Sequence, residues 1–231
     1  MENSKYSMVL KTEPQQIAPE RETQLTLTLQ PHLKLELSHE KKIHLIIVSE
    51  DLSYFNHLHP VETESGFTIG TKFPSSGKFY LFADYKPYES EQVVSKLEVN
   101  VQGSISAPED YHTAQLTGSS GAYSLTLVPN EGGFTSGHMM MDGILKKDGV
   151  EIDPSTLDDY LGAKAHVVLI GLGDKEYIHA HPEVGGGRYK LHASFPKQGT
   201  YRGWIQFQAE GEVHTTDYVI KVKQGNHHHH H

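Results

Sequence analysis

The chain is written twice. Residues 44–85 laid over 166–207 at a constant spacing of 122 match His44 with His166, His57 with His179, His59 with His181, Pro60 with Pro182, Phe73 with Phe195, Pro74 with Pro196 and Gly77 with Gly199, without a gap. Upstream, Tyr6, Ser7, Leu10 and Ile17 fall on Tyr123, Ser124, Leu127 and Phe134 at a spacing of 117, so the second copy gains five residues, which we assign to the connection 149–161. Two copies of this length point to tandem domains, each able to bury a core; a solenoid needs at least three shorter repeats. The expected layout is a first domain over 5–102, a linker over 103–121, a second domain over 122–223, and an expression tag over 224–231 that ends in five histidines.

Both copies read as strands. Residues 24–30 alternate through Leu25, Leu27 and Leu29, 44–48 is a continuous apolar run, and 78–84 and 96–101 alternate again. The second copy repeats the rhythm over 123–128, 138–145, 166–170, 201–207 and 216–222. With 21 Gly and 11 Pro as punctuation and no long helical stripe, the expected class is all-β: two antiparallel β-sandwiches, immunoglobulin-like or cupredoxin-like. Only 155–160, entered through Asp153-Pro154, suggests a helical turn.

Composition removes several chemistries. No cysteine means no disulfide, thiolate zinc site, iron–sulfur cluster or cysteine-ligated blue copper, so any metal is held by His, Met and oxygen. A formal charge of −9 without a basic cluster argues against nucleic acid. No apolar run suggests a transmembrane segment, and the opening Met1 to Lys5 lacks the apolar core of a signal peptide. Gly-x-Ser-x-Gly, Walker and dinucleotide motifs are absent.

The duplicated histidines are the candidate metal ligands. A hairpin with His44 opposite His57 and loop residues 49–52 puts these two imidazoles about 5 Å apart at Cβ and, by the period of two, His59 on the same face. The second copy allows the same register for His166, His179 and His181, with Gly171, Leu172, Gly173 and Asp174 as the loop, its glycines supplying the permissive backbone. Three neutral imidazoles with an open position suit Cu(II), Zn(II) or Ni(II). His214 has no histidine counterpart in the first copy and would complete a four-histidine set if its strand lay beside the second hairpin; the first copy has Asp84, Glu62 or water for that place. In His138-Met139-Met140-Met141-Asp142, thioether and imidazole together suit Cu(I), but the plain reading puts Met139 and Met141 in the core and His138 and Met140 outside. His32, His39, His112 and His192 have no matching histidine and are left out of the site. Phe73-Pro74 and Phe195-Pro196 read as core anchors and turns.

The segment His44-Leu-Ile-Ile-Val-Ser-Glu-Asp-Leu-Ser-Tyr-Phe-Asn-His-Leu-His-Pro60, with Tyr160-Leu-Gly-Ala-Lys-Ala-His166, His179-Ala-His181-Pro182, residues 77–84 and Val213-His214-Thr215, resembles poorly characterised bacterial exported proteins with repeated His-x-His-Pro β-domains. The resemblance implies a β-sandwich fold, a periplasmic or extracellular place in the cell envelope, and an association with copper or other heavy metals. The expected function is an envelope metal-binding protein, copper first and zinc second, that buffers, carries or senses the ion and meets another envelope protein. The alternatives are a non-catalytic adaptor with structural histidines and, behind it, a metalloenzyme, which lacks a carboxylate at matched positions: Asp84 falls on Gln206.

Overall fold

Alternating Leu25, Leu27 and Leu29 can bury one face only if a second sheet covers them, and the structure, a computed structural model describing residues 5–226, supplies that sheet in each of two units, Met1–Glu109 and Asp110–His231. The histidine run 227–231, read as a tag, lies outside the described residues.

In the first unit the strands are β1 (Ser7–Glu13), β2 (Glu22–Gln30), β3 (Leu35–Glu36), β4 (Ile43–Ser49), β5 (Phe55–Leu58), β6 (Val61–Thr63), β7 (Gly66–Lys72), β8 (Gly77–Pro87) and β9 (Val93–Val101). One sheet runs β1-β2-β7-β6; the other runs β3-β8-β4-β5, with β9 also paired to β8. All pairings between these strands are antiparallel, and an isolated bridge joins Ile17 to Val101 in parallel. Leu25 and Leu27 of one sheet face Ile43, Leu45, Ile47, Leu81 and Tyr85 of the other, all at most 1% exposed. Each such side chain contributes roughly 1.5–3 kcal/mol. His44 alternates with these residues and therefore points to the outer face, as do Ile46 and Val48.

In the second unit follow β10 (Thr117–Ser120), β11 (Tyr123–Pro129), β12 (Gly137–Lys147), β13 (Val150–Glu151), β14 (His166–Gly171), β15 (Tyr177–Gly185), β16 (Arg188–Phe195), β17 (Gly199–Ala209) and β18 (Glu212–Val222). β10 forms within the stretch expected as linker. The strands follow one path, β10-β11-β12-β16-β15-β14-β17-β18, because β15 pairs first with β14 and then with β16 and so belongs to both layers. The extra residues of this copy hold β13 and a single 3-10 turn, Pro154–Thr156, shorter than the sequence suggested; Asp153 caps it by accepting from the Ser155 N–H at 2.9 Å. Met139 and Met141 are buried, His138 and Met140 exposed.

Candidate metal centre

The hairpins that carry the histidines are not in the expected register. β4 pairs β5 with Ile46 opposite His57 and Leu45 opposite Leu58, and β14 pairs β15 with Val168 opposite His179. Both ladders are displaced by two residues, so His44 lies diagonal to His57 rather than opposite it. The cause is the loop. Ser49 Oγ accepts from the N–H groups of Ser53 and Tyr54 at 3.1 and 2.9 Å, and Asp51 Oδ1 accepts from Ser53 N–H at 3.1 Å, so side chains close a turn that runs on to Tyr54. In the second copy Gly171 N–H reaches the Glu176 carbonyl, and the left-handed residue is Lys175 (φ 57°) rather than either glycine. A slip of two preserves the face; a slip of one would have reversed it.

The first copy gathers its trio. The ligand atoms of His44, His57 and His59 all lie within 4.8 Å of one another, the one such group of three among the described residues. Ring centroids are 5.3 Å apart for His44 and His57, 5.1 Å for His44 and His59, and 4.6 Å for His57 and His59. His44 is buried at the base and the other two are half-buried.

Protons can be placed from the acceptors. His44 Nε2 is 2.7 Å from the Ser38 carbonyl, which can only accept, so Nε2 carries the hydrogen and the Nδ1 lone pair faces the trio. That Nδ1 is 3.1 Å from His57 Nε2. Tetrahedral ligation at about 2.0–2.1 Å per nitrogen separates two nitrogens by about 3.3 Å, so the pair needs only a few tenths of an ångström to hold an ion. Burial pushes the His44 pKa below the ordinary imidazole value, against the Ser38 hydrogen bond and the Asp84 carboxylate, which raise it. The neutral form, the one that ligates, is favoured. Asp84 sits directly opposite His44 across β4 and β8, where it accepts from Gln92 Nε2; Glu62 is engaged by Lys42. His39, set aside in the sequence for want of a partner, turns at φ 47° to bring its ring centroid 6.2 Å from that of His44. No periodic signal could have placed it, because it lies in the turn before β4.

The second copy keeps the tether and loses the convergence. His166 Nε2 donates to the Tyr160 carbonyl at 2.6 Å, the position matching Ser38. However, the ligand atoms of His166, His179 and His181 do not come within the same range of one another. Two differences account for this. β15 passes to the other sheet immediately after His179, with Ala180 opposite Ala193 and His181 opposite His192, whereas in the first copy that pairing does not begin until Val61. His59 and Pro60 are thus outside any ladder, and His59 turns to the trio; His181 is held in a strand of the opposite sheet. In addition, Tyr160 and Tyr177 pack edge-on against His166 and His179 at 5.3 and 5.2 Å between centroids.

His214 does not complete a set. Its strand pairs with β17, which separates it from β14; it is buried, stacked on Phe207 at 5.3 Å and 17°, with Nδ1 2.9 Å from Ser120 Oγ. It is a hydrogen-bonded core-edge histidine.

The comparisons with known proteins agree with the duplication. The chain belongs to a family described as a domain of unknown function (DUF8832), whose profile matches twice, over residues 2–103 and 119–224. That description assigns neither a metal nor an activity. No curated protein matches the sequence. Among solved structures the chain is similar to SGBP-B of the Bacteroides ovatus mixed-linkage glucan utilization locus, in complex with a heptasaccharide (13% identity, 96% of this chain, 48% of that one, TM-score 0.27). It is also similar to the mouse nectin-like molecule 4 ectodomain (11%, 95% and 65%, 0.25) and to fibronectin(III)-like modules of Clostridium thermocellum CbhA (12%, 96% and 100%, 0.25). The chain spans about half to two thirds of the first two, and likenesses at this level bear on no functional residue. No helix among the described residues is long and apolar enough to cross a membrane.

Proposed function

We propose that the protein binds a divalent transition metal in its first domain through His44 Nδ1, His57 and His59, and serves as a non-catalytic envelope protein that buffers, carries or senses that ion. The observation that carries this is the convergence of three imidazoles within 4.8 Å around a His44 whose proton is held on the Ser38 carbonyl. Such a backbone tether is how proteins fix the tautomer of a ligating histidine. The donor set is all imidazole, with no thiolate, which suits Cu(II) first by intrinsic affinity order and Zn(II) second. The envelope setting rests on the resemblance of the His-x-His-Pro segments.

A second reading, a β-sandwich adaptor with structural histidines, draws on the 3.1 Å contact of His44 with His57, which a shared proton satisfies without metal. Calorimetric titration with Cu(II) and Zn(II) separates the two, using a chain that ends at Asn226 so that the terminal histidines do not compete. The metal reading expects a Kd below about 1 μM that the His57→Ala/His59→Ala double variant loses. No heat from the intact chain, with the double variant only less stable, selects the adaptor.

A further inference from the structure

The second domain places a different set of metal donors on the outer face of its other sheet. β12, β16 and β15 lie side by side, and their registers align residues in rows across the three strands. One row is Met140, His192, His181; the neighbouring row begins with His138 and Ser194. On each strand the residues between these point into the core: Met139 and Met141, Leu191 and Ala193, Ile178. The donors therefore share one face, and it is open: Met140 is 43% exposed, His138 and His181 are exposed, and His192 is half-buried.

Direct cross-strand neighbours have Cβ atoms about 4.5–5.5 Å apart, so His192 has an imidazole on one side and a thioether on the other, each within side-chain reach. A third imidazole is already over it, since His138 stacks on His192 with centroids 5.8 Å apart and rings 26° from parallel. Glu183 Oε2, 3.9 Å from His192 Nε2, and the Lys190–Asp142 ion pair form the next row and bound the cluster. The matching positions in the first domain carry no such set. Gly70 stands for His192, with the Glu22 carboxylate lying where its side chain would be, and Glu22 and Gln24 stand for His138 and Met140.

We propose that His138, His181, His192 and Met140 form a Cu(I) site on the second domain, separate from the trio of the first and independent of whether that trio binds metal. A thioether among imidazoles is a soft donor set that suits Cu(I) and is poorly matched to Zn(II). Rigid paired strands fix the backbone of all four; their three imidazoles are not gathered as those of the first-domain trio are, so binding requires these side chains to turn in toward the ion.

The test uses the chain ending at Asn226, with His57→Ala and His59→Ala so that the first-domain trio is silent. Cu(I) is supplied anaerobically against a chromophoric chelator, and the bound copper is read by X-ray absorption. The expected result is one Cu(I) per chain with a sulfur scatterer. Met140→Leu, at an exposed position and of similar volume, removes the sulfur signal and weakens Cu(I) binding while leaving the unfolding midpoint in place; His192→Ala abolishes binding. Overturning results are no Cu(I) uptake by the parent, or uptake without sulfur that Met140→Leu and His192→Ala leave unchanged. Failure of the first-domain reading is seen separately, as absence of Cu(II) and Zn(II) binding by the chain with His57 and His59 intact.

Discussion

The two hairpins share their register, their outer-face histidines and the carbonyl that tethers the first of them, yet only one closes a trio. What separates them is the point at which the chain leaves one sheet for the other. In the first domain it leaves after Leu58 and pairs again at Val61, so His59 lies between the two ladders, with its ring against those of His44 and His57. In the second it leaves after His179 and pairs at once, so His181 is claimed by His192. Matching ligand spacing in sequence thus sets which face the donors occupy; convergence is decided by strand continuity a residue or two beyond them.

Three measurements can break or sharpen that contrast. Ile47 and Leu169 occupy matching core positions at 1% and 3% exposure, and truncating either to alanine is expected to cost about 2–5 kcal/mol. In urea unfolding each substitution should move only its own domain's transition; a common shift in both would mean that the copies do not unfold separately. Next, Zn(II) at about a hundred times its Kd should stabilise the first domain by about 2.7 kcal/mol and leave the second where it was. Scanning calorimetry reads this directly, and stabilisation of the second domain instead would reverse the assignment. The smallest effect is on the metal-free protein. Burial depresses the His44 pKa in the folded state, so on acidification the unfolded chain takes up the proton first. The contribution of neutral His44 is complete above its ordinary value near 6.5 and is lost as the pH falls through the depressed one, with a slope of at most about 1.4 kcal/mol per pH unit. His44→Gln should flatten that slope in urea midpoints taken from pH 7 to 5. A first domain that grows more stable on acidification would show that Asp84 holds an imidazolium.

Much of this was legible in the sequence. The gapless match of His44, His57 and His59 with their counterparts gave the duplication, and alternation alone put Met139 and Met141 inside with His138 and Met140 outside. Loop length was not legible, because Ser49 and Asp51 close the turn with side-chain acceptors that hydropathy does not register. Nor was the neighbourhood of His214, which depends on β17 lying between it and the hairpin. His192, expected at an exposed position and without a histidine counterpart in the first copy, falls outside the site read from the sequence; the alternation of Tyr189, Leu191, Ala193 and Phe195 turns it outward. Its neighbours His138 and Met140 stand on a strand distant in sequence, and the ladder that brings β12 beside β16 is a property of the fold.

The passage of β15 through both layers also has a mechanical consequence. A strand stitched to β14 along its first half and to β16 along its second makes a force applied to one layer a shear load on the hydrogen bonds of the other. The second domain can part its sheets only by tearing both ladders. In the first domain the two ladders are separated by His59 and Pro60, so the transfer between layers there is stepped rather than continuous. His59 of the trio lies at that step, and an ion bound between it and the β4–β5 hairpin would act as a rivet across it.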